Sequence, residues 1–74
     1  MIMKRISINI RYNGEDFLSN PKEYADDEVE SIEYLLSSAA SGKLAFLNIR
    51  SSNKDLYIPC KILEQSIISL VYQN

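Results

Sequence analysis

Apolar and polar residues alternate along the first part of the chain, from Ile2 to Tyr12. Isoleucines occupy every second position on one side, and polar residues occupy the positions between them. The two sides are Ile6, Ile8, Ile10 and Tyr12 against Arg5, Ser7, Asn9 and Arg11. A period of two with β-branched residues predicts a half-buried strand. The turn dipeptide Asn13-Gly14 ends it and could close a hairpin, but residues 15–20 do not alternate, so they are predicted to form a loop.

A helix is predicted in the middle of the chain. Asn20-Pro21-Lys22-Glu23 combines a capping Asn, a Pro at the first helical position and a Glu three residues after the cap. A second start signal lies at Asp27–Glu30, which leaves open whether there is one helix or two. Apolar residues then recur at helical spacing, at Val29, Ile32, Leu36 and Ala39. Gly42 is placed where a left-handed C-terminal cap is expected.

Two further strands are predicted after this helix. Residues 43–50 alternate, and their first half is apolar on both sides, which is typical of a central strand. A polar turn at 51–54 leads into a strand from Asp55 to Cys60, which would place Cys60 inward as a packing residue. Pro59 has no N–H, so it marks the end of this strand or a sheet edge.

Residues 61–72 fit two structures. A helix would gather Ile62, Leu63, Ile67, Leu70 and Val71 into one apolar stripe. Alternatively, a short helical turn at 61–65 precedes a strand that alternates through Ile68, Leu70 and Tyr72. The concentration of β-branched residues favours the strand.

The fold class that follows is α+β. We expect one compact domain over residues 1–74, with the element order β-α-β-β-β. Three or four strands would form a small, mostly antiparallel sheet, with one helix packed on one face. The other face of the sheet would remain open.

The amino-acid composition excludes most types of catalytic site. The chain has no histidine and a single cysteine, so it can form neither an internal disulfide nor a Cys/His metal site. Neither a nucleophile elbow nor a glycine-rich phosphate loop is present. We therefore predict a protein that is not an enzyme and that uses no cofactor and no metal. The N-terminal order, with Lys4 and Arg5 after the apolar residues, does not resemble a signal peptide, so a cytoplasmic location is expected.

The chain has a net charge of −2, and its charged residues are distributed unevenly along the sequence. Eight acids and one base lie between Glu15 and Glu33, which gives that segment −7, and the remainder carries seven bases and two acids, or +5. The acids predict a docking surface for a basic partner protein, for which we select Glu23, Asp26, Asp27, Glu30 and Glu33. The alternative is a solvated helix face, with acids favoured by the helix dipole. The acid spacing matches no calcium-binding loop.

The open sheet face is the second candidate surface. If the strands share one sheet, it would carry Arg5, Arg11, Phe46, Arg50 and Tyr57. Arginines interleaved with aromatics can bind single-stranded nucleic acid, although three arginines are few and the isoelectric point is about 4.9. Exposed Leu44 and Phe46 would instead favour a homodimer or higher oligomer.

The leading functional hypothesis is a small binding protein that modulates a larger macromolecular partner, for instance as an inhibitor. The size of the chain and its composition, rich in Ile, Asn, Ser and Lys, resemble those of small accessory proteins of bacteria and their phages. The alternatives are a single-stranded nucleic-acid binder and an oligomeric protein that binds a small ligand such as a nucleotide between subunits. Five dispersed tyrosines would serve such a pocket only if oligomer formation gathered them.

Overall fold

Six strands and two helices form from residues 3–73, the part of the chain that the computed structural model describes. In chain order they are β1 (Lys4–Tyr12), β2 (Glu15–Leu18), β3 (Lys22–Tyr24), α1 (Asp26–Ala40), β4 (Phe46–Ser51), β5 (Lys54–Pro59), α2 (Cys60–Glu64) and β6 (Ile67–Gln73). The predicted α+β class is confirmed. Ile2, the predicted first residue of the initial strand, lies outside the described residues.

β1 is the central strand of the larger sheet. β6 runs antiparallel along one side of it, from the pair Arg5–Gln73 to the pair Arg11–Ile67. β2 and β3 share its other side, with β2 on the second half of β1 and β3 on the first. β4 and β5 pair antiparallel in a separate two-stranded sheet. β1 is thus occupied on both edges and cannot pair with β4 or β5.

The predicted loop at residues 15–20 is wrong over most of its length, because residues 15–18 form β2. Asn13 and Gly14 have φ angles of 52° and 82°. Two positive φ angles in succession are what a two-residue hairpin turn of type I′ requires. The turn therefore folds β2 back onto β1. Its four residues are too few and too polar to show a strand period of their own.

The predicted helix start at Asn20-Pro21 is also wrong. Residues 22–24 form β3, and one helix begins at Asp26. The Glu28 carboxylate accepts a hydrogen bond of 2.8 Å from the Ala25 N–H, so the second of the two start signals lies close to the true helix start. Pro21 falls at the break between β2 and β3, a position where its missing N–H disturbs no strand pair.

The last segment adopts the turn-and-strand alternative. α2 is one short helix, and β6 pairs with β1 over seven residue pairs. β5 ends at Pro59, as its missing N–H predicts. Cys60 begins α2 and is half-buried, so its predicted inward position on a strand is wrong.

The core joins β1, α1, α2 and the inner face of the β4–β5 hairpin. One buried cluster contains Ile10, Leu36, Ala39, Leu47, Ile49, Ile58 and Leu63. On the opposite side of β1, Ser7 is also completely buried, and the Gln73 amide donates a 3.0 Å hydrogen bond to its hydroxyl. The sheet face predicted to be open is therefore covered at Ser7.

Asn20, at the interruption between β2 and β3, hydrogen-bonds to the β4–β5 hairpin. Its backbone N–H donates to the Arg50 carbonyl at 2.8 Å. Its side chain donates to the Ser52 carbonyl at 3.1 Å and accepts from the Ser52 N–H at 2.9 Å. These bonds hold Ser52 in a left-handed conformation, with φ of 55°.

Replacing Asn20 with alanine is expected to lower the free energy of unfolding by about 1–2 kcal/mol, because two side-chain hydrogen bonds are lost. Asn20→Asp keeps the acceptor for the Ser52 N–H and loses the donor, so its loss should be about half as large. Urea denaturation followed by circular dichroism measures both. Equal stability of the alanine variant and the wild type would contradict this role for Asn20.

Candidate functional site

The exposed side of α1 carries three carboxylates, Asp27, Glu30 and Glu33, which we call the acidic helix face. All three residues are exposed, and within residues 3–73 none of them forms an ion pair. They follow one another at intervals of three residues, which places neighbouring side chains about 5–6 Å apart on a helix surface. The arrangement is a short line of negative charge open to solvent.

The two other acids at the start of the helix already have contacts within the fold. Asp26 lies 3.6 Å from the Lys4 ammonium group, and Glu28 bonds the Ala25 N–H. Glu23 is on β3, opposite Arg5 in the strand register. The structure thus brings four of the five selected acids onto one helix, but it places Glu23 in the sheet.

Tyr34 extends the acidic helix face, and the sequence analysis did not select it. It follows Glu30 by four residues and Asp27 by seven, and it is 77% exposed. Its position outside the apolar series that includes Val29 and Leu36 was the available signal. Tyrosine is one of the residue types that most often contribute strongly to protein–protein binding.

The five residues of the second predicted surface do not share one sheet. Arg5 and Arg11 lie on the β1 face directed away from the core, while Phe46, Arg50 and Tyr57 lie on the outer face of the hairpin. The common sheet does not form because β2, β3 and β6 occupy both edges of β1. The nucleic-acid platform is therefore divided between two sheets.

Each arginine also faces a carboxylate across a strand pair. Arg5 is opposite Glu23, and Arg11 is opposite Asp16. Arg50 makes two hydrogen bonds to Asp55, of 3.0 and 3.1 Å. This hydrogen bonding, together with charge attraction to Asp55, raises the pKa of the Arg50 guanidinium above its ordinary value. The positive charge of Arg50 is thus partly compensated by Asp55, whereas Arg5 and Arg11 form no ion pair within residues 3–73.

The outer face of the hairpin presents an aromatic pair. The rings of Phe46 and Tyr57 lie 5.7 Å apart at an interplanar angle of 59°, and the two residues are 53% and 65% exposed. Leu44, predicted to be exposed beside Phe46, instead packs against the core. The apolar patch is therefore smaller than the sequence suggested.

A groove of about 390 Å³ separates β3 from β4 and mixes apolar with polar walls, including Ile8, Ile49 and Arg50. This volume is at the low end of the range for small-molecule sites. The tyrosines are divided between different parts of the surface: Tyr24 lines this groove, Tyr12 and Tyr57 line another, and Tyr34 is exposed on α1.

No family model matches the sequence, and searches of curated proteins and of solved structures give no match either. Over residues 3–73, neither helix has the length and apolar character needed to cross a membrane. Among the same residues, no three His, Cys, Asp or Glu side chains are grouped so that they could hold a metal ion.

Proposed function

We propose that this protein is a non-enzymatic binding protein that modulates a larger partner through its acidic helix face. The partner surface is basic, as in the groove of a nucleic-acid-binding protein, and occupation of that groove would inhibit it. The observation that carries the proposal is the exposure of Asp27, Glu30 and Glu33 without an ion pair in residues 3–73, next to the exposed Tyr34.

The helix dipole explains the presence of only some of the acids on α1. It favours acids in the first turn, where Asp26, Asp27 and Glu28 lie, and its effect falls off beyond that turn. Glu30 and Glu33 are farther along, and α1 contains no lysine or arginine to pair with them. Like charges three or four residues apart destabilise a helix by a few tenths of a kcal/mol. A binding role explains why the helix keeps them.

The fold gives this surface a fixed geometry. Leu36 and Ala39 anchor α1 in the buried core cluster, and the Glu28 bond fixes its first turn. The acids therefore need little ordering when a partner binds, which favours affinity. The surrounding excess of negative charge would speed encounter with a basic partner at low salt.

Reversing the charge of the acidic helix face is the direct test. The triple variant Asp27→Lys, Glu30→Lys, Glu33→Lys should lose affinity for the partner by about a hundredfold or more, since each 1.4 kcal/mol is a factor of ten. Tagged wild-type and variant proteins are used to capture partners from lysate, and a captured partner is then titrated by calorimetry.

The matched control makes the same change of charge on other elements, at Glu15, Asp16 and Glu64. It should retain binding, and circular dichroism verifies that both triple variants are folded. Equal partner affinity of the helix variant and the wild type would contradict the proposal. Loss of binding only in the control variant would move the contact surface away from α1.

The two alternative functions remain predictions with less support. The two hydrogen bonds from Arg50 to Asp55 lower the attraction of the hairpin surface for phosphates, and Arg5 and Arg11 lie on a different sheet from Arg50. A nucleic-acid binder would show affinity for single strands that falls steeply with salt. A nucleotide binder would show a raised Tm with its ligand.

A further inference from the structure

β6 leaves one edge without a strand partner among residues 3–73. It pairs with β1 on one side only. Its seven residues contain neither a charge nor a proline, and the sequence has no charged side chain after Glu64. Soluble proteins normally protect a sheet edge with charges, proline, a bulge or a covering element, because unpaired backbone groups recruit other strands.

The opposite edge of the same sheet has this protection. β2 and β3 are interrupted around Pro21, and their edge carries four charged residues, Glu15, Asp16, Lys22 and Glu23. At the interruption, the backbone of Asn20 bonds to β4. The contrast indicates that β6 is the edge suited to pairing with another strand.

A groove of about 350 Å³ runs between α1 and β6. Leu36 and Ala40 contribute apolar groups to its helix side, which Glu33 also lines, and Ile68 and Leu70 contribute to its strand side. A strand added along β6 would direct every second side chain toward α1. The groove therefore offers apolar walls to alternate residues of an incoming strand.

β6 itself has the apolar residues at alternate positions that such an incoming strand would need. Ile67-Ile68-Ser69-Leu70-Val71 has the same apolar and polar pattern in both directions. An antiparallel pair of such strands about a two-fold axis through Ser69 places Ile67 opposite Val71 and Ile68 opposite Leu70. Ile67 is 70% exposed and Val71 37% exposed, so both have surface to bury.

We propose that β6 pairs antiparallel with β6 of a second copy of this chain. The two sheets then join into one, and Ile68 and Leu70 of each copy, which already pack against their own core, extend the strand side of the other copy's groove. Cross-strand pairs of aliphatic residues stabilise this arrangement, and the absence of charge avoids like-charge repulsion across the axis. The interface is isologous and closed, as in most symmetric dimers.

Sedimentation equilibrium of the whole chain tests the dimer, over about 1 to 500 µM because association follows mass action. The wild type should shift from the 8.5 kDa monomer to twice that mass. Ile67→Lys and Val71→Lys should each raise the dimer dissociation constant by at least about tenfold, because each puts an edge charge opposite an apolar residue. Leu18→Lys is the matched control on β2 and should leave the constant unchanged.

Hydrogen exchange gives a second, local readout. Amides of β6 that point away from β1 should become protected as protein concentration rises, while those of β2 should not change. A chain that stays monomeric over the whole range would overturn the proposal, as would a dimer indifferent to Ile67→Lys and Val71→Lys. The double variant Asp27→Lys, Glu30→Lys leaves the groove residue Glu33 unchanged and should still dimerise, so failure of the dimer and failure of the proposed function can be distinguished.

Discussion

Replacing Leu63 with alanine is expected to lower the free energy of unfolding by about 2–5 kcal/mol. Leu63 is fully buried in α2 and belongs to the core cluster formed with α1 and the β4–β5 hairpin. Truncation removes apolar contacts and leaves a cavity between these elements. A chain of this length has a total stability of roughly 4–11 kcal/mol at the usual value per residue, so the variant loses a large part of it.

Leu35→Ala is the matched control, because it makes the same change on a side chain that is 40% exposed. Its loss should stay below about 1 kcal/mol. Thermal and urea denaturation, followed by circular dichroism, compare the two variants with the wild type. A loss at Leu63 no larger than that at Leu35 would contradict the packing of α2 against the core.

Replacing Gly42 with alanine is expected to lower the free energy of unfolding by about 1–2 kcal/mol, the usual cost of a left-handed conformation for a residue with a Cβ. Gly42 has φ of 75° just after α1, where its N–H donates to the Ala39 carbonyl at 3.2 Å. The new Cβ would also meet the carboxylate of Glu64 at the end of α2. This carboxylate is the far end of a flexible side chain, so it can move away.

Two further variants separate the backbone from the contact. Gly14 has a similar φ of 82°, and no atom lies within 4 Å of a Cβ added there. Gly14→Ala therefore measures the backbone effect alone. The double variant Gly42→Ala, Glu64→Ala removes the contact and should recover less than about 0.5 kcal/mol. Full recovery in the double variant would show that crowding, rather than the φ angle, determines the loss.

The longer elements of this fold could be predicted from the sequence because each carries its own period. The isoleucines of β1 and the series from Val29 to Ala39 bury one side of a regular element, and that side is visible as spacing. β2 and β3 are four and three residues long, so they are strands only because β1 pairs with them. The Asn20-Pro21 signal failed for a similar reason, since the Asn20 side chain bonds Ser52 rather than capping a helix.

The candidate surfaces were predictable to different degrees. The acids of α1 were visible as a charge cluster, because residues of one helix remain neighbours whatever the tertiary fold. The basic and aromatic set depended on which strands pair, and that is settled by non-local contacts. The carboxylates opposite Arg5 and Arg11 depend on strand register, which single-sequence patterns fix only weakly.

The position of β1 between distant segments has a consequence for the order of folding. Ser7 and Gln73, which hydrogen-bond in the larger sheet, are 66 positions apart. The β4–β5 hairpin, in contrast, closes over a short turn between Ser51 and Lys54. Local contacts form quickly and long loops close late, so we expect the hairpin to form early and β6 to join β1 last. The central strand would then remain open on one edge until most of the remaining chain is structured.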